Sequence, residues 1–419
     1  MKEFSGYEYL QMDVASNNPF SGDKLTFEER IAFTEANDAN LENVLLEKGA
    51  WKERPLYLKA VQALRKAQQG KPTGHMVGSD AVCSGMQIMS VMTGCYAGAK
   101  ATGLVDPSRR PDAYTDITNE MGNLLGQQMH HSRQEVKDSV MKGLYGSKAE
   151  PKKIFGEDTV ELAKFYVALQ TVAPGAWRLV DALLDSWNDW SLTQEWLLPD
   201  GGHVRNRVMQ SVKKRIEVNE LNHTTFTYQY KENEGEKNGL KNIANAIHSV
   251  DAWILRSVIR RCSYDAERTP EISNVITEEL LERTNRNMPD YDPEAWSEDL
   301  TYYMEQYNRS GIVDVVILPW LSANNIRLLP TDYLKNLNTI LQGMLEHKPF
   351  PIITIHDEYK CHPNNMNHLR RHYRDVLAEL ADANLMEDIL SQLLGIKGTF
   401  TKLSDDLGTY IRQSNYSLC

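Results

Sequence analysis

The sequence predicts a helix-rich α/β (α+β) protein, and three observations lead there. Long stretches repeat apolar residues at helical spacing, with Phe27 to Leu46 and Ala50 to Gln69 reading as amphipathic helices. Strand signals are fewer, the clearest being the β-branched run Pro351-Ile352-Ile353-Thr354-Ile355-His356, which stops at Asp357-Glu358. At 419 residues the chain is too long for one compact core and suits two or three domains.

Along the chain, Thr26 is the expected N-cap of the first helix, with Glu29 three residues later. The small and polar run Gly78 to Gln87, followed by the apolar Ile88-Met89-Ser90-Val91-Met92, predicts a strand passing into a buried helix with Asp80 at the junction. Leu197-Leu198-Pro199-Asp200-Gly201-Gly202 has turn chemistry at each position and is expected to join two strands. The stretch 262–347 is acidic early and carries Pro270, Pro289, Pro293, Pro319 and Pro330, which predicts an irregular insertion with no long element. From Met366 to Leu394 the pattern is helical again, so Asp357 sits where a strand ends.

Composition narrows the class. With 41% hydrophobic and 25% charged residues the chain reads as globular, and no stretch approaches the roughly 20 apolar residues of a membrane span. Met1-Lys2-Glu3-Phe4 lacks the basic and apolar run of a signal peptide, so a cytoplasmic location is expected. The odd set Cys83, Cys95, Cys262, Cys361 and Cys419 has no metal-ligand spacing and reads as thiols. A net charge of −11 argues against a nucleic-acid partner on first reading. Basic charge is needed only along a channel, however, and clusters occur at Lys148 with Lys152-Lys153, at Arg205 to Arg215, and at Arg370 to Arg374. The plain reading of each is a solvated face.

Three further clusters carry candidate chemistry, each with an ordinary alternative. Asp80 at a strand-to-helix junction is either a helix N-cap or a ligand. Arg133 and Lys137 share a helix face at i and i+4, where two cations repel unless an anion such as triphosphate bridges them; common solvated helices show the same spacing. Asp357-Glu358 is a carboxylate pair after a strand, for which a salt-bridged surface pair is the ordinary reading.

Their joint occurrence in this order resembles the single-subunit, phage and mitochondrial-type DNA-dependent RNA polymerases. Asp80 to Gln87 resembles motif A, and Arg133 to Gly146 resembles motif B with its Arg-x3-Lys-x7-Tyr-Gly spacing. His356-Asp357 resembles motif C, and Ile247-His248-Ser249-Val250-Asp251 the His-Ser-x-Asp motif after the fingers. The resemblance implies a right-hand fold: palm in 1–105 and 248–419, fingers in 106–247, and an insertion at 262–347. It implies two Mg²⁺ ions on Asp80, Asp357 and the Ala81 carbonyl, with Arg133 and Lys137 on the triphosphate. Tyr145 and Gly146 would lie near the templating base and ribose, and His248 near the 2′-hydroxyl. Lys137 and Tyr145, with the two aspartates, are the expected catalytic set.

Family A DNA polymerases share the motif B spacing and are the alternative. They carry a glutamate five residues after the motif A aspartate, where this chain has Gly85, and a glycine leaves room for ribose. Met141 also fits the RNA enzymes. A catalytically inactive scaffold subunit is the other alternative, although both metal ligands are present. The family's N-terminal domain, thumb and Asp-x-x-Gly-Arg motif have no counterpart, which suggests the larger subunit of a split bacteriophage enzyme acting in the host cytoplasm. DNA template, RNA product, NTPs and a smaller second subunit are the implied partners. The segment from Met1 to about Phe20 is the expected seam, with Phe4, Tyr7, Tyr9 and Leu10 packing on that subunit or, alternatively, on this chain's own palm.

Overall fold

The computed structural model describes residues 1–19, 25–46, 54–237, 239–286 and 292–419. It opens with α1 (Gly6–Asn17) and α2 (Phe27–Ala36), each begun by a capping box, at Ser5 with Glu8 and at Thr26 with Glu29. α2 is shorter than the sequence predicts. The Asn- and Asp-rich chain after Ala36 breaks into 3-10 turns at Asp38–Asn40 and Asn43–Leu46, because short polar side chains compete for backbone hydrogen bonds. Asn37 does so by donating to the Phe33 carbonyl. α3 (Arg54–Gln68) follows, and the expected helix start at 50–53 lies outside the described residues.

β1 (Val77–Asp80) then passes into α4 (Ser84–Met92), with Asp80 at the junction as the pattern predicts. A helical block comes next: α5 (Tyr96–Ala101), α6 (Ala113–Leu125), α7 (Arg133–Leu144), α8 (Ala149–Phe155), α9 (Val160–Val172) and α10 (Pro174–Asp185). Lys142, Lys152 and Lys153 pair with Glu150 and Glu157, so two lysines of that basic cluster are a solvated face. β2 (Thr193–Leu197) and β3 (His203–Arg207) pair across the expected turn, with Gly201 at φ 76°. β4 (Met209–Val218) and β5 (Thr224–Asn233) form a separate two-stranded ribbon, mostly exposed.

α11 (Leu240–Cys262) leads into 262–347, where the structure corrects the expected irregular chain. α12 (Arg268–Arg286), α13 (Glu298–Ser310) and α14 (Thr331–Leu345) fill most of it. Pro270 sits in the first turn of α12, where its missing N–H is not needed, and Pro330 stands just before α14. Pro293 and Pro319 fall in 3-10 turns, and Pro289 lies outside the described residues. These helices enclose a core of their own, including Ile272, Ile276, Met304, Ile317, Leu334 and Leu341. A polar joint fastens it to the rest: Asp314 accepts from Trp253 Nε1 at 2.9 Å and from Arg260, while Arg260 and Arg256 also hold Asp200 of the β2–β3 turn.

The predicted strand at 351–356 turns back on itself, giving β6 (Ile353–Ile355) and β7 (Glu358–Cys361). α15 (Met366–Asp382), α16 (Leu385–Leu394) and α17 (Leu407–Ile411) complete the chain. The three-stranded antiparallel sheet has the order β1-β7-β6. Val77, Tyr359 and Cys361 face inward to the main core, which α4, α11 and α15 share. None of the described helices is long and apolar enough to cross a membrane.

Two sequence readings change here. Tyr9 and Leu10 are buried in this chain's own core, and Phe4 packs on Tyr9 and Phe27, so the own-chain alternative holds for them; Tyr7 is half-exposed and Phe20 lies outside the described residues. Arg370, read as part of a solvated basic face, is buried. It lies 4.5 Å over the Phe27 ring, donates to the Tyr9 hydroxyl at 2.7 Å and to the Asn415 carbonyl at 2.8 Å, and so pins both ends of the chain to α15.

Where the chain enters and leaves the α12–α14 core, Phe350 N–H donates to the Cys262 carbonyl at 2.9 Å beside His347, His368 and His372. His347 Nδ1 faces the Lys348 carbonyl at 2.9 Å and must donate, so its Nε2 accepts from His372 Nε2 at 2.7 Å. Burial holds all three below the usual histidine range, His372 well below it. Such depressed bases favour the folded state above the unfolded value of about 6.5, and that contribution is lost as protons bind the unfolded chain below it. Urea midpoints are expected to fall from about pH 7.5 to about pH 5.5, and to fall less in His372→Asn. An identical pH response in the variant would discard this account.

Candidate active site

The antiparallel pairing of β1 with β7 sets Asp80 opposite Glu358, one residue from Asp357. Ala81 N–H donates to the Asp357 carbonyl at 3.1 Å, and Asp80 exchanges backbone hydrogen bonds with Cys419. Both aspartates thereby face one cleft of about 920 Å³. Its walls bring together Ala81 and Gly85 at the start of α4, Arg133, Lys137 and Met141 on α7, Tyr145 at the end of that helix, and His248 on α11. Gly146 is the one predicted site residue that does not line this cleft. It turns away at φ 77°, against Leu240 and Ile243.

Local backbone geometry aims these groups. Cys83 and His356 both line the cleft and both adopt left-handed φ values, 55° and 56°, a conformation costing an L side chain roughly 1–2 kcal/mol. His356 and Asp357 are the two-residue turn of the β6–β7 hairpin, so the motif residue is presented at a hairpin tip and not at a plain strand end. Gly78 leaves the space that the Glu358 carboxylate occupies, and Glu358 pairs with Lys360 at 2.8 Å. A Cβ at Gly85 would meet the Tyr145 hydroxyl at 2.6 Å, so the room beside this glycine adjoins Tyr145 directly.

The floor is acidic. Asp80 is open to the cleft yet walled by protein; that desolvation, then Glu358 and Asp357, push its carboxyl up to about 6. Asp251 on α11 is pushed up to about 6 by burial and then by Asp357. Burial, followed by Cys83, Asp251 and Asp357, pushes Tyr145 up to about 12. Neighbouring carboxylates that resist ionising are a place where a cation is favourable. Among the described residues no three His, Cys, Asp or Glu side chains form a ready-made metal cage. Two carboxylates are nonetheless the hard oxygen donors Mg²⁺ takes, since that ion keeps waters and substrate phosphates as its other ligands.

The opposite wall is cationic and already braced. Asp112 accepts from Arg133 Nε at 2.7 Å and Nη2 at 3.0 Å, and the Tyr114 ring lies 5.2 Å from the Arg133 guanidinium and 5.8 Å from Lys137 Nζ. The anion that relieves Arg133 within the fold is therefore Asp112. Burial and the nearby Arg110 bring Arg30, also in the cleft, down to about 10. Sequence reasoning missed Asp112, Tyr114, Arg30, Glu358 and Asp251 as site residues. Asp251 and Glu358 had signals, the first closing the His-Ser-x-Asp string on the helix face of His248 and the second adjoining Asp357 in sequence.

The contact of Gly85 with Tyr145 is testable. Gly85→Ala is expected to displace the Tyr145 ring and lower the thermal midpoint by a few degrees, as an overpacked buried contact does. Adding Tyr145→Phe, which removes the clashing oxygen, should recover most of the loss. Additive effects in the double variant would mean the two positions do not touch.

Residues 2–164 match the family model described as DNA-dependent RNA polymerase. The match includes Asp80, Ala81, Gly85, Arg133, Lys137, Tyr145 and Gly146, and ends before His248 and Asp357. No curated protein matches the chain. Over residues 2–164, less than half of its length, the chain is similar to the DNA-dependent RNA polymerases, a family of nucleotidyltransferases.

Proposed function

We propose that this chain carries the catalytic centre of a template-directed RNA polymerase, joining ribonucleoside triphosphates to an RNA 3′-hydroxyl. One observation carries the reading: β1 and β7 bring Asp80 and Asp357 into a single cleft that also holds Arg133, Lys137, Tyr145 and His248. On this reading 1–105 and 248–419 are palm, 106–247 are fingers, and 262–347 is an insertion in the palm.

Asp80 and Asp357, with the Ala81 carbonyl, would hold a Mg²⁺ pair. Bound there, the ions supply positive charge at the attacking 3′-oxygen and at the leaving pyrophosphate. Lys137 and Arg133 face the triphosphate from the other wall, and the Asp112 fork with the Tyr114 ring keeps both cations extended along it. Tyr145 stacks at the ribose end beside Gly85, and its ring meets His248 edge-on with centroids 5.4 Å apart. His248 is thereby directed to a 2′-hydroxyl. A glycine at position 85 excludes nothing there, which favours ribose over the deoxyribose of the DNA polymerase reading.

The test is nucleotide incorporation on single-stranded template with Mg²⁺. Ribonucleotides should be added and deoxyribonucleotides largely refused, while Asp80→Asn and Asp357→Asn each lower incorporation by at least about a thousandfold with template binding nearly unchanged. Near wild-type turnover in Asp357→Asn would reject the ligand assignment. Template binding without incorporation by the unaltered protein would favour the scaffold reading.

We also propose a smaller second polypeptide as partner. The edge strand β6 supports this, since Ile353 and Ile355 lie half-exposed there beside the cleft. An obligate interface of this kind buries more than roughly 2,000 Å². A second chain is expected to co-purify and to raise processivity on duplex template. An isolated chain that is monomeric, stable and fully processive would overturn the split arrangement.

A further inference from the structure

A second cavity of about 720 Å³ shares no lining residue with the carboxylate cleft. It opens between the end of α7, α9, α10 and the start of α11, and three aromatic rings dominate it: Tyr166, Trp177 and Trp187. Tyr166 and Trp177 stand edge to face with centroids 6.0 Å apart. Gly146 and Gly239 form bare parts of the wall. A side chain at Gly146 would strike Leu240, and one at Gly239 would meet the Trp187 ring at 2.7 Å.

The Tyr166 hydroxyl is buried and has no hydrogen-bond partner, which is unfavourable for a polar group unless something else satisfies it. At the rim, Lys148, Lys237 and Asp181 form no ion pair among the described residues. Charged rim residues around an apolar pocket are often only solvated. Here three kinds of chemistry converge on one cavity of ligand size: aromatic faces, an unsatisfied hydroxyl, and a mixed cationic and anionic edge.

We propose that this cavity is a nucleotide-binding site separate from the carboxylate cleft. The base stacks on the tryptophans and takes a hydrogen bond from Tyr166, while the phosphate meets Lys148 and Lys237 and a sugar hydroxyl donates to Asp181. A free mononucleotide and an unpaired nucleotide of a single strand present the same chemistry. The cavity ends on α7 through Gly143 and Gly146, so its occupant touches the helix that carries Arg133 and Lys137.

The test follows intrinsic tryptophan fluorescence of the full chain in EDTA, titrated with AMP and separately with a short oligodeoxyadenylate. Omitting metal makes the result independent of whether the carboxylate cleft polymerises RNA. Saturable quenching is expected. Tyr166→Phe, which only removes an unpaired oxygen and so keeps the fold, should weaken binding about fivefold. Trp177→Leu should weaken it about tenfold or more. Lys137→Ala, in the other cleft, should leave it unchanged. Saturation by AMP supports the site with a free nucleotide as its source, and saturation by the oligonucleotide alone supports it with a strand as its source. Absence of saturable quenching by both, or binding lost in Lys137→Ala and kept in Tyr166→Phe, would overturn the proposal.

Discussion

The register between β1 and β7 is the constraint on which the rest of the cleft depends. Pairing Asp80 with Glu358 places two distant stretches of chain side by side, and a slip of one residue would send every side chain of the strand to the opposite face. Neighbours hold that register from several directions. β6 pairs along the other edge of β7, and Cys419 exchanges hydrogen bonds with Asp80. Gln87, fully buried, donates to the Thr102 and Ser417 carbonyls and accepts from the Tyr373 hydroxyl, tying α4 to α15 and the end of the chain. The outcome is unfavourable in isolation, because carboxylates that repel one another are forced together. Packing elsewhere must offset it, and a cation relieves it.

The cleft is polarised across its width. Acids crowd one wall, while Arg133, Lys137 and Arg30 stand on others. Two of the left-handed non-glycine residues border the same cleft: Cys83 begins α4 from that conformation, and His356 turns the hairpin in it. Neither position is a glycine, so each side chain stays available to the cleft at an energetic cost that the surrounding helices must sustain.

What could be read from the sequence was what local chemistry dictates. The Thr26 cap, the Asp80 junction and the Pro199-Asp200-Gly201 turn each have their determinants within a few residues. The turn at His356-Asp357 has only a weak signal, since histidine tolerates a positive φ better than most side chains but far less readily than glycine, and tertiary packing must hold it. The prolines of 262–347 misled because a proline breaks a helix or starts one according to position, which composition does not reveal. Arg370 looked like one charge in a basic run because Phe27 and Tyr9, which bury it, come from the far end of the chain. Asp251 and Glu358 were visible as residues, but their approach to the aspartates is a product of the fold.

The two separate cores carry a consequence for how the molecule comes apart. The helices between Arg268 and Leu345 bury their apolar side chains chiefly against one another, and the joint to the main body is a polar network around Asp314, Arg260 and Asp200. Ion pairs of this type fix orientation more than they add stability. Cooperative units so divided open at different free energies, so amide exchange should resolve into two tiers, and one melting temperature would conflate two transitions. The helices of this second core can then loosen as a body while β1 and β7 stay in register, which lets their surface change without disturbing the carboxylates.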